Sequence, residues 1–138
     1  MERISSIKMS LPVVDCRDLV DFQRLLNKLR QNEDKILFKL NCDLPTKSFQ
    51  KNKKHVQTVC EDIQNKLANS RKQRSDLIYN CVRENQQTVN QPLDERTRAD
   101  LRIAHNNLRL LKSEYDVEEV IAAQTDKVVH ERCRKEAI

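Results

Sequence analysis

The chain has 138 residues, one domain's worth, with 26 Lys and Arg against 21 Asp and Glu and a net charge of +5. It holds no glycine, which argues against phosphate-cradling loops, tight hairpins and dinucleotide fingerprints, because each needs backbone angles that other residues avoid. Charged residues at 34% and aromatics at 4% describe helices with a narrow apolar stripe and a broad wet face.

In chain order, "MERISSIKMSLPVVD" has two basic residues and some serine, but also Glu2 and no apolar h-region. Residues 1–14 are expected to be a disordered tail without a cleavable signal, and 15–138 a single helical, coiled-coil-like domain. Asp15 is a good N-cap, with Asp18 in the first turn. Leu19, Phe22, Leu26, Leu29, Ile36 and Leu40 then form a heptad seam broken only at Glu33, so a first helix is expected over 15–41. Cys16 lies on the same stripe.

Leu44 precedes Pro45 and is pushed towards an extended conformation, ending that helix. After a loop, the period resumes from about Asn52 to Gln91 through Val56, Cys60, Ile63, Leu67, Leu77, Cys81 and Val89, with a polar middle at Ser70 and Arg74. The basic clusters Lys51, Lys53, Lys54 and Arg71, Lys72, Arg74 lack interleaved aromatics and read as solvated helix face, not as a nucleic-acid footprint. Pro92 fits the gap before a third helix or its first turn. That helix is expected over 93–115 on the seam Leu101, Ala104, Leu108, Leu111, Tyr115. "DVEE" reads as a capping box, Asp116 with Glu119, opening a fourth helix that carries Val120, Ile121, Val128 and Cys133. The expected fold is all-α: an antiparallel helical hairpin or bundle of three long helices plus a C-terminal helix. No apolar run approaches a membrane span.

Five cysteines are many for this length. Cys60 and Cys81 are three heptads apart on one seam, so on a continuous helix they stand about 31 Å apart, beyond the roughly 7 Å between Cα atoms that a disulfide allows. In an antiparallel hairpin, facing residues have numbers that average to the turn. Cys16 with Cys60, and Cys81 with Cys133, would centre inside helices. Cys16 with Cys81 centres in the Pro45 loop, and Cys60 with Cys133 a few residues past Pro92. The pairing that survives is Cys16–Cys81 and Cys60–Cys133, each closing a long loop, with Cys42 a free thiol.

Two alternatives stand beside it: five reduced cysteines in a structural coiled-coil subunit or adaptor of a larger assembly, and a zinc set of His55, Cys60, His130 and Cys133. Without a CxxC, and with the histidines on wet faces, no metal is expected. No oxidoreductase motif and no catalytic constellation is visible either.

"DCRDLVDFQRLLNKLRQNEDKIL", the two cysteines of "CEDIQNKLANSRKQRSDLIYNC" and above all "LLKSEYDVEEVI…KVVHERCR" resemble the coiled-coil domain-containing protein 58 family, also described as mitochondrial intermembrane-space cysteine-motif proteins. The likeness runs from about Asp15 to Arg134. Cys16, Cys60, Cys81 and Cys133 fall on the family's cysteine positions; Cys42 and the histidines do not. The resemblance implies a non-enzymatic soluble factor of the mitochondrial intermembrane space that supports protein import into mitochondria and is itself imported by oxidative folding. It implies an encounter with the import oxidoreductase of that compartment and leaves translocase components as candidate partners. It implies no cofactor, nucleic acid or membrane span.

Overall fold

A computed structural model describes residues 14–44, 53–92 and 97–137 of the chain. The expected tail lies, except for its last residue, outside the described residues. The described residues form three helices: α1 (Val20–Asp43), α2 (Lys53–Asn90) and α3 (Arg98–Ala137). No strand occurs among the described residues. α2 is the central rod, packed against both α1 and α3.

α2 forms as its period demands. Val56, Cys60, Ile63, Leu67, Ser70, Arg74, Leu77, Cys81 and Asn85 are all buried, in alternating steps of four and three from Val56 to Cys81 and a further step of four to Asn85. With no glycine or proline between Lys53 and Asn90, nothing interrupts its backbone ladder.

α1 starts five residues later than Asp15 suggested. Asp15 Oδ1 accepts from Arg17 N at 2.8 Å and Asp18 Oδ1 from Val20 N at 3.2 Å, so 15–19 is a run of turns. The reason is tertiary. The carbonyls of Cys16 and Arg17, which would accept from the first turn of a helix begun at Asp15, instead take the side-chain amides of Asn85 and Asn107. At the other end, Leu44 (φ −127°, ψ 62°) has left the helix just before Pro45.

The fourth helix does not exist. α3 is one helix of 40 residues, and Asp116 is an exposed interior residue ion-paired to Lys112 at 3.7 Å. The true start signal is Thr97-Arg98-Ala99-Asp100. Thr97 Oγ1 accepts from Asp100 N at 3.1 Å, and Thr97 O from Leu101 N at 3.2 Å. The capping-box pattern of Asp116 and Glu119 suggests a break there, and the seam residues expected on either side of it, Tyr115, Val120 and Val128, are exposed. The buried seam runs instead through Ala104, Leu111, Thr125 and Val129, with the half-buried Glu118 a heptad from both Leu111 and Thr125. Polar residues at core positions hid the helix's continuity.

Asp100 also holds the entering chain, pairing with Arg17. The Arg17 hydrogen bond, against the opposing effect of desolvation and with lesser help from the Arg17 charge and from Thr97, keeps the Asp100 carboxyl below its ordinary 3.8. A folded value below the unfolded one means this stabilisation is present above about pH 4 and is lost as pH falls through the folded value. Arg17→Ala is expected to move the Asp100 carboxyl back up in an NMR titration. Thr97→Ala should cost about 1 kcal/mol in denaturant unfolding as the cap is lost; an unchanged midpoint would refute the assignment of the helix start.

The core is two apolar clusters. One gathers Cys16, Leu19, Phe22, Leu26, Leu29, Leu77, Ile78, Cys81 and Leu111. The other gathers Leu40, Leu44, Val56, Cys60, Ile63, Leu67 and Val129. On α2, Ser70 and Arg74 lie between them.

Candidate functional site

Cys16 is bonded to Cys81, with Cα atoms 5.0 Å apart, and Cys60 to Cys133, with Cα atoms 6.0 Å apart. They span 65 and 73 residues of sequence. α2 carries one half of each bond, so the central rod is tied to the chain entering α1 at one level and to the end of α3 at another. Cys16, Cys60 and Cys81 are buried in the two apolar clusters, and Cys133 packs against the second. With Cys60 and Cys133 bonded to each other, neither offers a thiolate to the zinc set. Among the described residues no group of three or more His, Cys, Asp and Glu is placed to hold a metal ion. Cys42 is a free, exposed thiol on the last turn of α1. Nearby, Lys39 is held above its ordinary value chiefly by its hydrogen bond to Asp43.

Between the staples lies a layer that the sequence showed only as interruptions. Arg74, read above as part of a solvated basic cluster, is fully buried. Its Nε donates to Glu118 Oε1 at 2.7 Å and its Nη1 to Ser70 Oγ at 2.8 Å. Its Nη2 stands 2.6 Å from Glu33 Oε1, a charge contact without hydrogen-bond alignment. Thr125 Oγ1 donates to Glu33 Oε2 at 2.6 Å. Arg30 extends the layer, its Nε donating to Glu118 Oε2 at 2.7 Å and its Nη1 to Glu114 Oε1 at 2.8 Å. Every helix contributes. Charges taken out of water at this depth persist only when paired and hydrogen-bonded, and here three carboxylates meet two guanidiniums.

A neutral polar layer closes the end of the bundle near the first staple. Asn85 Nδ2 donates to Cys16 O at 2.9 Å and to Cys81 O at 2.8 Å, and Asn107 Nδ2 donates to Asn85 Oδ1 at 3.1 Å. Glu33, Ser70 and Arg74 are visible in the sequence as breaks in an apolar seam. Glu118, Thr125, Asn85 and Asn107 escaped because α3 was divided and α2 was followed through Val89. The signal is their three-, four- or seven-residue spacing from buried apolar neighbours: Asn85 from Cys81 and Ile78, Asn107 from Ala104 and Leu111, Glu118 from Leu111, Thr125 from Val129.

α2 and α3 also leave an open groove of about 530 Å³, lined among others by Ile78, Tyr79, Val82, Leu108 and Tyr115. Tyr79 and Tyr115 are 62% and 52% exposed, and the Arg83 guanidinium lies 5.8 Å from the centre of the Tyr79 ring. No described helix is long and apolar enough to cross a membrane. No family model matches the chain, and no solved structure matches it.

Proposed function

We propose that the protein is a non-enzymatic soluble factor of the mitochondrial intermembrane space that supports protein import and reaches that compartment by oxidative folding. The reading rests on the resemblance of the 15–134 segment together with one observation: two disulfides tie one central helix to both ends of a thin bundle. Such bonds persist in oxidising compartments and are rare where thiols are kept reduced. A chain that enters reduced and is then stapled across 65 and 73 residues resists the unfolding needed to slip back through a membrane pore. Partner binding falls to the helix surfaces, which include the Tyr79–Tyr115 groove.

Two measurements test this. Mass spectrometry of the protein from mitochondria, prepared without reductant, is expected to show the Cys16–Cys81 and Cys60–Cys133 peptide pairs; four free thiols there would end the retention mechanism. A photo-crosslinking amino acid at Tyr79 in isolated mitochondria is expected to capture a translocase component, whereas one at Lys66 on another face is not. If neither position yields an import component, the import role is wrong.

A further inference from the structure

The apolar seams are degenerate. Leu26, Leu29, Leu40, Leu67, Leu77 and Leu111 are all buried leucines at heptad-related positions. A seven-residue displacement sets one apolar side chain in the place of another at Leu19/Leu26, Phe22/Leu29 and Leu29/Ile36 on α1 and at Val56/Ile63 and Cys60/Leu67 on α2. The mismatches fall at Glu33, Ser70, Arg74 and Asn85, so apolar packing alone distinguishes such registers weakly. The sulfurs tolerate no such slip. Seven residues move a side chain about 10 Å along the helix, which carries Cys16 out of the roughly 7 Å reach of Cys81. Something other than leucine must select the register before the sulfurs are joined.

The charged layer has the properties that selection needs. It draws one or more residues from each helix: Glu33 from α1, Ser70 and Arg74 from α2, Glu118 and Thr125 from α3. It lies on α2 between Cys60 and Cys81. It is also specific: shift α1 by a heptad against α2 and Glu33 is buried without its cation, while Arg74 keeps Glu118 alone. The cost of an unpaired buried charge far exceeds the difference between two leucine contacts.

We propose that the Glu33–Arg74–Glu118 layer is the register key of the reduced chain. It assembles while all thiols are free and thereby directs Cys16 to Cys81 and Cys60 to Cys133. Each bond then forms by ordinary exchange: two thiols lose two protons and two electrons to one disulfide-bearing oxidant, which leaves as two thiols. The layer takes no part in that chemistry. This inference concerns the purified chain alone and holds or fails independently of the compartment and the import role.

The test has two arms. In the first, reduced and denatured protein is refolded in a glutathione redox pair and its crosslinked peptides are counted. Wild type is expected to give the Cys16–Cys81 and Cys60–Cys133 pairs as the dominant product. The triple variant Glu33→Leu/Arg74→Met/Glu118→Leu is expected to lose that selectivity, its native fraction falling several-fold towards the roughly one-in-fifteen share of unguided two-bond pairing among five thiols, Cys42 included. If the triple variant pairs as faithfully as wild type, the proposal is overturned. In the second arm, wild-type chain held in dithiothreitol is followed by amide exchange. Helical amides around Glu33, Arg74 and Glu118 are expected to exchange about ten-fold or more slowly than in an unstructured chain. Unprotected amides there would overturn the proposal even if the triple variant fails to fold.

Discussion

Reduction of both disulfides is expected to lower the stability of the bundle by several kcal/mol, and to do so through either staple alone. Loops of 65 and 73 residues each correspond to about 4 kcal/mol of restricted unfolded-state freedom in the chain-entropy description. Marginal domains have total stabilities of about 5–15 kcal/mol, so the loss is a large share of the whole. A bundle this poor in aromatics has little apolar core to compensate. Guanidinium unfolding with and without a phosphine reductant measures the effect. The Cys16→Ser/Cys81→Ser and Cys60→Ser/Cys133→Ser variants should each fall between the two curves. Coincident oxidised and reduced midpoints would show that the staples do not hold the fold.

The same comparison separates their roles. Cys16 sits ahead of the first turn of α1, in a segment held also by Asn85, Asn107 and the Arg17–Asp100 pair. Opening Cys16–Cys81 should therefore loosen the entry to α1 while leaving α2 and α3 paired. Cys133 lies near the end of α3 and packs with Val129 against the second apolar cluster. Opening Cys60–Cys133 should release the last turns of α3. Amide exchange on the two variants would locate each loss.

Arg74 is expected to be the most sensitive single position outside the cysteines. Arg74→Ala leaves Glu33 buried without its cation and Glu118 with Arg30 alone, and breaking a buried pair in this way costs about 3–5 kcal/mol. Replacing the whole layer behaves differently. With Glu33→Leu, Arg74→Met and Glu118→Leu made together in the oxidised protein, no charge is stranded, and stability is expected to stay near that of wild type or to rise by about 1–4 kcal/mol. Denaturant midpoints of the two variants decide the matter. If the triple variant is as damaged as Arg74→Ala, the layer contributes net stability and its role is larger than setting register. If Arg74→Ala is silent, the pairing is not needed in solution.

Much of this molecule can be read along the chain. The continuity of α2 follows from its three-four spacing from Val56 to Cys81 and from the absence of glycine and proline between Lys53 and Asn90. Once α2 is one rod, Cys60 and Cys81 are too far apart to meet, and each must look to another helix. The end of α1 before Pro45 follows from a local steric rule. These inferences succeed because they depend on backbone geometry, which a residue's own type and its near neighbours set.

What tertiary structure decided is where polar residues replace apolar ones without ending a helix or a seam. Glu33, Ser70, Arg74, Glu118 and Thr125 look like wet positions one at a time, because the cost of burying each is cancelled only by residues far away in sequence. Arg74 belongs to the core because Glu33 and Glu118 are there to receive it, and α3 runs through Asp116 because Glu118 and Thr125 keep facing inward. The start of α1 was moved in the same way, by Asn85 and Asn107 taking carbonyls that a local reading assigns to the helix. Spacing along one helix is a local property of the chain; the pairing of charges across three helices exists only once they are side by side.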